Sequence, residues 1–175
     1  MPDFNFNPSI SEVSFFRHYY GEDELQPIIN GNAGNRAFEL VMKLGISGLS
    51  YLKNPVSHNT YESFYLNIIT YTQRGQRDIV THGLITEYFD YERSQNNSEV
   101  LQVTLTSFHN SIDLDKYTYD FISGIYFVEI FITSYRISTQ EQLEEEIMLL
   151  NSYNRLFKTK IPYTNYESIG EKHGN

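Results

Sequence analysis

The sequence has no cysteine and no tryptophan, only five prolines, and few positive charges. Without cysteine there is no disulfide, no thiolate nucleophile and no Cys-ligated zinc, which sets aside small disulfide-stapled scaffolds. Long apolar runs are also missing. The longest apolar stretch, GIYFVEIFI, is broken by Glu129 and is far shorter than the roughly 20 residues that span a bilayer as a helix. The start, MPDFNFNPSI, lacks a basic segment followed by an apolar one, so no classical secretion signal is expected and a cytoplasmic location follows. Lys and Arg number 13 against 22 Asp and Glu, a net charge of -9. A general nucleic-acid binder shows the opposite balance, because its basic face replaces phosphate counterions. An acidic surface suits solubility or a basic partner.

What is present is a globular composition: 40% hydrophobic and 15% aromatic, with 15 Tyr and 12 Phe. The length fits one domain over 1–175, with 1–9 and 161–175 as extended tails. A short helix is expected from Ser9 or Ser11 to Tyr20, with Ser as N-cap and Gly21 as terminator. Ala37, Leu40, Val41, Leu44, Leu49 and Leu52 keep a rough 3.6-residue period, which predicts a second helix over 36–53. Gly45 and Gly48 weaken it by about 1 kcal/mol each, compensated by close packing on a sheet. From residue 61 the period becomes two. Segments 61–73, 78–92, 99–108 and 124–137 read as strands, the last apolar on both sides and therefore central or covered. RGQR and SQNNS read as hairpin connections. A final helix from Ser138 or Thr139 to Phe157 carries a candidate capping box, Ser138 with Glu141 or Thr139 with Gln142. The expected class is α+β: a four-stranded, mainly antiparallel meander with a helix before it and a helix after it.

No motif names a chemistry. The five histidines are scattered without a zinc-binding spacing, and no phosphate-binding glycine motif occurs. No cofactor or metal site is expected. Asp113, Asp115 and Asp120 read as an acidic turn, and GNAGN (31–35) as a capping loop. Arg74 and Arg77 at a hairpin tip are the best candidate partner contacts, since paired arginines clamp carboxylates or phosphates. Glu144, Glu145 and Glu146 form a second candidate, a charged helix face able to line an oligomer.

His58 with Thr60, and His109 with Ser111, resemble the paired His-x-hydroxyl motifs of two-histidine phosphoesterases. The resemblance implies that both pairs face one phosphate. Here the middle residues are Asn59 and Asn110, where that family usually places an apolar side chain. In a meander the two pairs fall at opposite ends of parallel-running strands, about 30 Å apart. The order of elements over 36–157 resembles, in layout, the tail-terminator and neck subunits of tailed phages. That resemblance implies a non-catalytic, homo-oligomeric ring subunit in host cytoplasm or virion, touching other protein subunits but neither membrane nor specific nucleic-acid sequence. The competing expectation is an acidic inhibitor, an immunity or anti-defence protein, whose Glu87, Asp90, Glu92 and 144–146 cover a basic site.

Overall fold

The computed structural model describes residues 8–19, 21–28, 39–49, 63–74, 78–105, 124–149 and 155–163. Within them the chain forms eight strands: β1 (Ser9–His18), β2 (Leu25–Pro27), β3 (Glu39–Ser47), β4 (Ser63–Arg74), β5 (Asp78–Asp90), β6 (Ser98–Thr104), β7 (Gly124–Thr133) and β8 (Arg155–Tyr163). One α-helix, α1 (Gln140–Leu149), lies between β7 and β8, and a 3₁₀ turn (Arg93–Gln95) lies between β5 and β6. The strands make two antiparallel four-stranded sheets, ordered β2-β1-β3-β6 and β5-β4-β7-β8.

The architecture follows from one long hairpin bent double. β4 pairs with β5 from Ser63↔Asp90 to Arg74↔Asp78, and β3 pairs with β6 from Ser47↔Ser98 to Val41↔Thr104. Half of this ribbon therefore lies in each sheet. Strand β1 adds to the free edge of β3, and β7 to the free edge of β4. The sheets face each other across one apolar core. Leu40, Met42, Leu44, Ile46 and Leu101 of the first sheet meet Phe64, Leu66, Ile68, Phe89, Tyr126, Val128 and Ile130 of the second. Each such buried side chain contributes about 1.5–3 kcal/mol.

The α+β meander is thus replaced by a mostly β sandwich. Residues 9–18 and 39–47, expected as helices, are strands, and their neighbours explain why. Leu40, Met42, Leu44 and Ile46 alternate into the core, while Val41, Lys43 and Gly45 face outward. Gly45 sits opposite the β-bulge at Ser11, where a Cβ on it would come within 2.6 Å of Ser11 Oγ. Gly48 leaves β3 at φ +80°, a left-handed turn closed to most side chains. SQNNS does not close a hairpin; it lies in the crossover from one sheet to the other. The four strands expected after residue 60 are present, and β7 is central as expected. Ser9 opens β1 and residues 161–163 complete β8, so these parts of the expected tails are sheet.

The final helix is shorter than expected among the described residues, 140–149, and Leu156 belongs to β8. Thr139 caps it: Gln142 N donates to Thr139 Oγ1 at 3.2 Å, and Gln142 Oε1 accepts from Ser138 N at 2.8 Å. Leu143 and Ile147, one turn apart, lay α1 on the outer face of the second sheet over Ile69, Leu84 and Phe131.

Arg93 holds the bend. Its Nε and Nη2 fork onto Glu99 of β6 at 2.9 and 2.6 Å, while Nη1 reaches Glu87 at 3.0 Å and Tyr88 O at 2.8 Å on β5. Asp90 Oδ1 accepts the Arg93 backbone N–H at 2.8 Å, and the guanidinium lies 4.1 Å above the Phe89 ring. The opposite arm is tied in by Leu49 N donating to Asn97 O at 3.2 Å. Arg93→Ala should lower the unfolding free energy by about 2 kcal/mol in urea titrations, because two half-buried carboxylates lose their counter-ion. Arg93→Lys should recover less than half of that, since one ammonium cannot make the forked contact.

Candidate functional site: charged clusters on the two outer faces

The outer face of the second sheet buries a carboxylate. Glu129, in the middle of β7, is only 1% exposed. It stands beside Ile69 of β4 and Lys158 of β8, and burying it demands compensation. Tyr71 OH donates to Glu129 Oε2 at 2.8 Å. Arg155 Nε meets Oε1 as a close ion pair that lacks hydrogen-bond alignment, and Lys158 Nζ lies 3.8 Å from Oε2. Burial, and then the bond to Glu129, push the Tyr71 phenol far above its ordinary range. Tyr71 stacks on Phe127 with centroids 5.0 Å apart. Lys158 and Lys160 both lie over the Phe127 ring, at 5.4 and 5.2 Å. The result is a basic and aromatic strip on the edge strand β8 of an acidic protein.

The same face carries a neutral network. Buried Asn67 donates to Thr133 Oγ1 at 2.9 Å and accepts from Thr86 Oγ1 at 3.0 Å. Thr133 Oγ1 in turn donates to Tyr135 O at 2.7 Å. Tyr135 OH donates to Glu146, and burial followed by that bond raises its pKa to about 12.

On the first sheet, β1, β2, β3 and β6 form an open groove of about 650 Å³, lined by Phe16, His18, Glu39, Lys43, Gln102 and Thr104 among others. His18 is held in it at both ring nitrogens. Nδ1 lies 3.0 Å from Glu39 Oε2 and Nε2 lies 2.8 Å from Glu22 O. Both partners accept only, and a neutral imidazole has one N–H, so both bonds form together only in the imidazolium. The Glu39 bond, then the Glu22 carbonyl, raise the His18 pKa.

No protein-family model, curated protein or solved structure matches the chain.

The residues singled out in the sequence are scattered by the fold. Arg74 is the last residue of β4, opposite Asp78, whereas Arg77 lies outside the described residues. Glu144 and Glu145 are exposed on α1, but Glu146 is buried against Tyr135 and belongs to no surface face. Glu87 is paired with the Arg93 guanidinium, and Asp90 accepts the Arg93 backbone N–H, so the acidic patch expected with Glu92 loses the charge of Glu87. His58, Thr60, His109 and Ser111 lie outside the described residues, as do Asp113, Asp115, Asp120 and the 31–35 loop. His82 is the extra residue of a bulge between β4 and β5. It is bonded to Thr72 Oγ1 at 2.8 Å and set edge-on to Tyr126, the surroundings of a core histidine. Among the described residues no three His, Asp or Glu side chains are placed to hold a metal ion, and no helix is long and apolar enough to cross a membrane.

Sequence reading missed His18 with Glu39, and it set Lys158 and Lys160 just beyond the final helix, at the negative end of its dipole, where the structure has strand β8. The first pair is 21 residues apart and meets only through the β1–β3 register. The second was legible: Lys-Thr-Lys places two cations on one face of any strand.

Two outcomes follow from these clusters. Tyr71→Phe should cost about 2 kcal/mol in urea unfolding, because buried Glu129 loses the hydrogen bond that the Tyr71 hydroxyl donates. For His18 the folded pKa is raised above 6.5, so its stabilisation is complete below pH 6.5 and is lost as pH rises through the folded value. The stability difference between wild type and His18→Gln, followed by urea unfolding against pH, should accordingly shrink towards alkaline pH. A difference that is constant or grows there contradicts the imidazolium assignment.

Proposed function

We propose that the protein is a non-catalytic assembly subunit that works by contact with other protein subunits, copies of itself included. One observation supports this reading above the others. Two exposed patches each combine large apolar side chains with charge of a single sign. On the β7–β8 edge, Ile125 is 61% exposed, with Lys160 diagonal to it and Lys158 two residues further along β8. On α1, Met148 and Leu149 are 77% and 55% exposed and follow Glu141, Glu144 and Glu145. Lysines on an edge strand also serve to block unwanted strand pairing. That role gives no reason for Ile125, Met148 and Leu149 to face water, whereas apolar groups rimmed by charge are the usual make-up of a contact surface.

A ring or tube subunit of the tail-terminator or neck kind is one assembly of this type. The single helix-flanked sheet that suggested such proteins is not the fold of this chain, so the surface chemistry carries the proposal and the layout does not. The acidic-inhibitor reading loses the Glu87 part of its patch to the Arg93 guanidinium.

Sedimentation velocity over a concentration series is the test. Species heavier than the 20.5 kDa monomer should accumulate with concentration and recede with added salt. A single monomeric boundary up to the solubility limit, in low salt, overturns the proposal.

A further inference from the structure

The two patches match one another. On α1 the outward face reads Glu141, Glu144, Glu145, then Met148 and Leu149. From 141 to 149 it runs about 12 Å at 1.5 Å per residue. On the second sheet the edge reads Lys158, Lys160, then Ile125, which pairs in register with Pro162. From 158 to 162 it runs about 13 Å at roughly 3.3 Å per residue. Acid, acid, apolar on the helix thus parallels cation, cation, apolar on the strand, in the same order and over the same length.

We propose that the outward face of α1 on one copy docks on the β7–β8 edge of a second copy, Glu141 and Glu145 against Lys158 and Lys160, Met148 and Leu149 against Ile125. This rests on the assembly reading above and gives it a surface. Several physical points favour a second copy as the occupant. Three glutamates on one helix face repel, and the contact relieves them chiefly through Lys160, because Lys158 also lies 3.8 Å from Glu129 Oε2. Copies of a chain with net charge -9 repel at long range, so approach needs a local surface of opposite sign. The β7–β8 edge supplies it. The contact joins two different patches, so it is heterologous: it closes into a ring if the rotation permits and otherwise grows as a filament.

The test compares wild type, Lys160→Glu, Glu145→Lys and an equimolar mixture of the two variants by sedimentation equilibrium. All these positions are exposed, and far-UV circular dichroism should be unchanged in each. Each variant alone should associate at least about tenfold more weakly, the size of one lost close charge pair. The mixture should regain association, because each variant then meets a complementary partner. Met148→Ser, which keeps every charge, should weaken association too. If wild type assembles but the variants assemble equally well, or the mixture does not recover, the contact lies elsewhere and assembly itself stands. If wild type is monomeric throughout, both fail. A monomeric wild type that binds a single-stranded oligonucleotide through Lys160 would reassign the basic edge to polyanions and overturn the contact.

Discussion

The contacts of Arg93 are the constraint on which the remaining structure depends. A ribbon running from β3 through the β4–β5 hairpin to β6 cannot bury both its halves unless it folds over. On one arm the link between sheets is residues 48–62, and on the other it is only 91–97. The shorter arm sets the geometry of the bend, and Arg93 occupies it. Its guanidinium binds a carboxylate from each sheet and covers Phe89, whose ring stacks on Phe64 at 4.9 Å inside the core. One side chain therefore covers the end of the core and ties the two halves together there. The other long strands are additions to this ribbon: β1 to β3, β7 to β4, and β8 to β7.

The strands after residue 60 could be read from sequence because β-branched and aromatic residues alternate there with polar ones. Failure came where the alternation was blurred. In β3, Val41 is buried on the outer face beside Leu40 and Met42 on the inner face. The adjacent apolar pair then mimics a helical stripe. The two glycines argued against a helix, and their true reasons are local: a bulge opposite Gly45 and a positive φ at Gly48. In β1, serines suited to N-caps and a terminating glycine suggested a helix. Yet Gly21, at φ +81°, serves the turn between two strands. Sheet membership was out of reach locally. YERSQNNSEV has the composition of a hairpin turn, and only the pairing of β6 with β3 shows it to be a crossover.

Candidate sites followed the same division. Glu144 and Glu145 were legible as an exposed helical face, because the period of α1 was correct, and Glu146 fails by one step of that period. Glu129 was visible as a charge inside an apolar strand, though not the groups that compensate it. Arg155 and Lys158 come from β8, a strand read as the end of a helix and its tail. His18 needed both a turn and a register to acquire its two acceptors.

Net charge describes this protein poorly at the scale of a contact. Arg93 and Arg155 are engaged with acids inside the fold, and Lys43 lies over the Phe16 ring at 5.1 Å. The period of two on β8 then gathers Lys158 and Lys160 on one side, while the period of 3.6 on α1 gathers Glu141, Glu144 and Glu145 on another. Secondary structure thus converts a diffuse excess of acid into two compact surfaces of opposite sign. Each ends in apolar groups that charge alone would not place in water. Electrostatics of this kind orient partners and speed encounter more than they add affinity, and the apolar ends supply the burial that charges lack. A surface with that division of labour favours one orientation of approach over all others, which is what a repeating assembly requires.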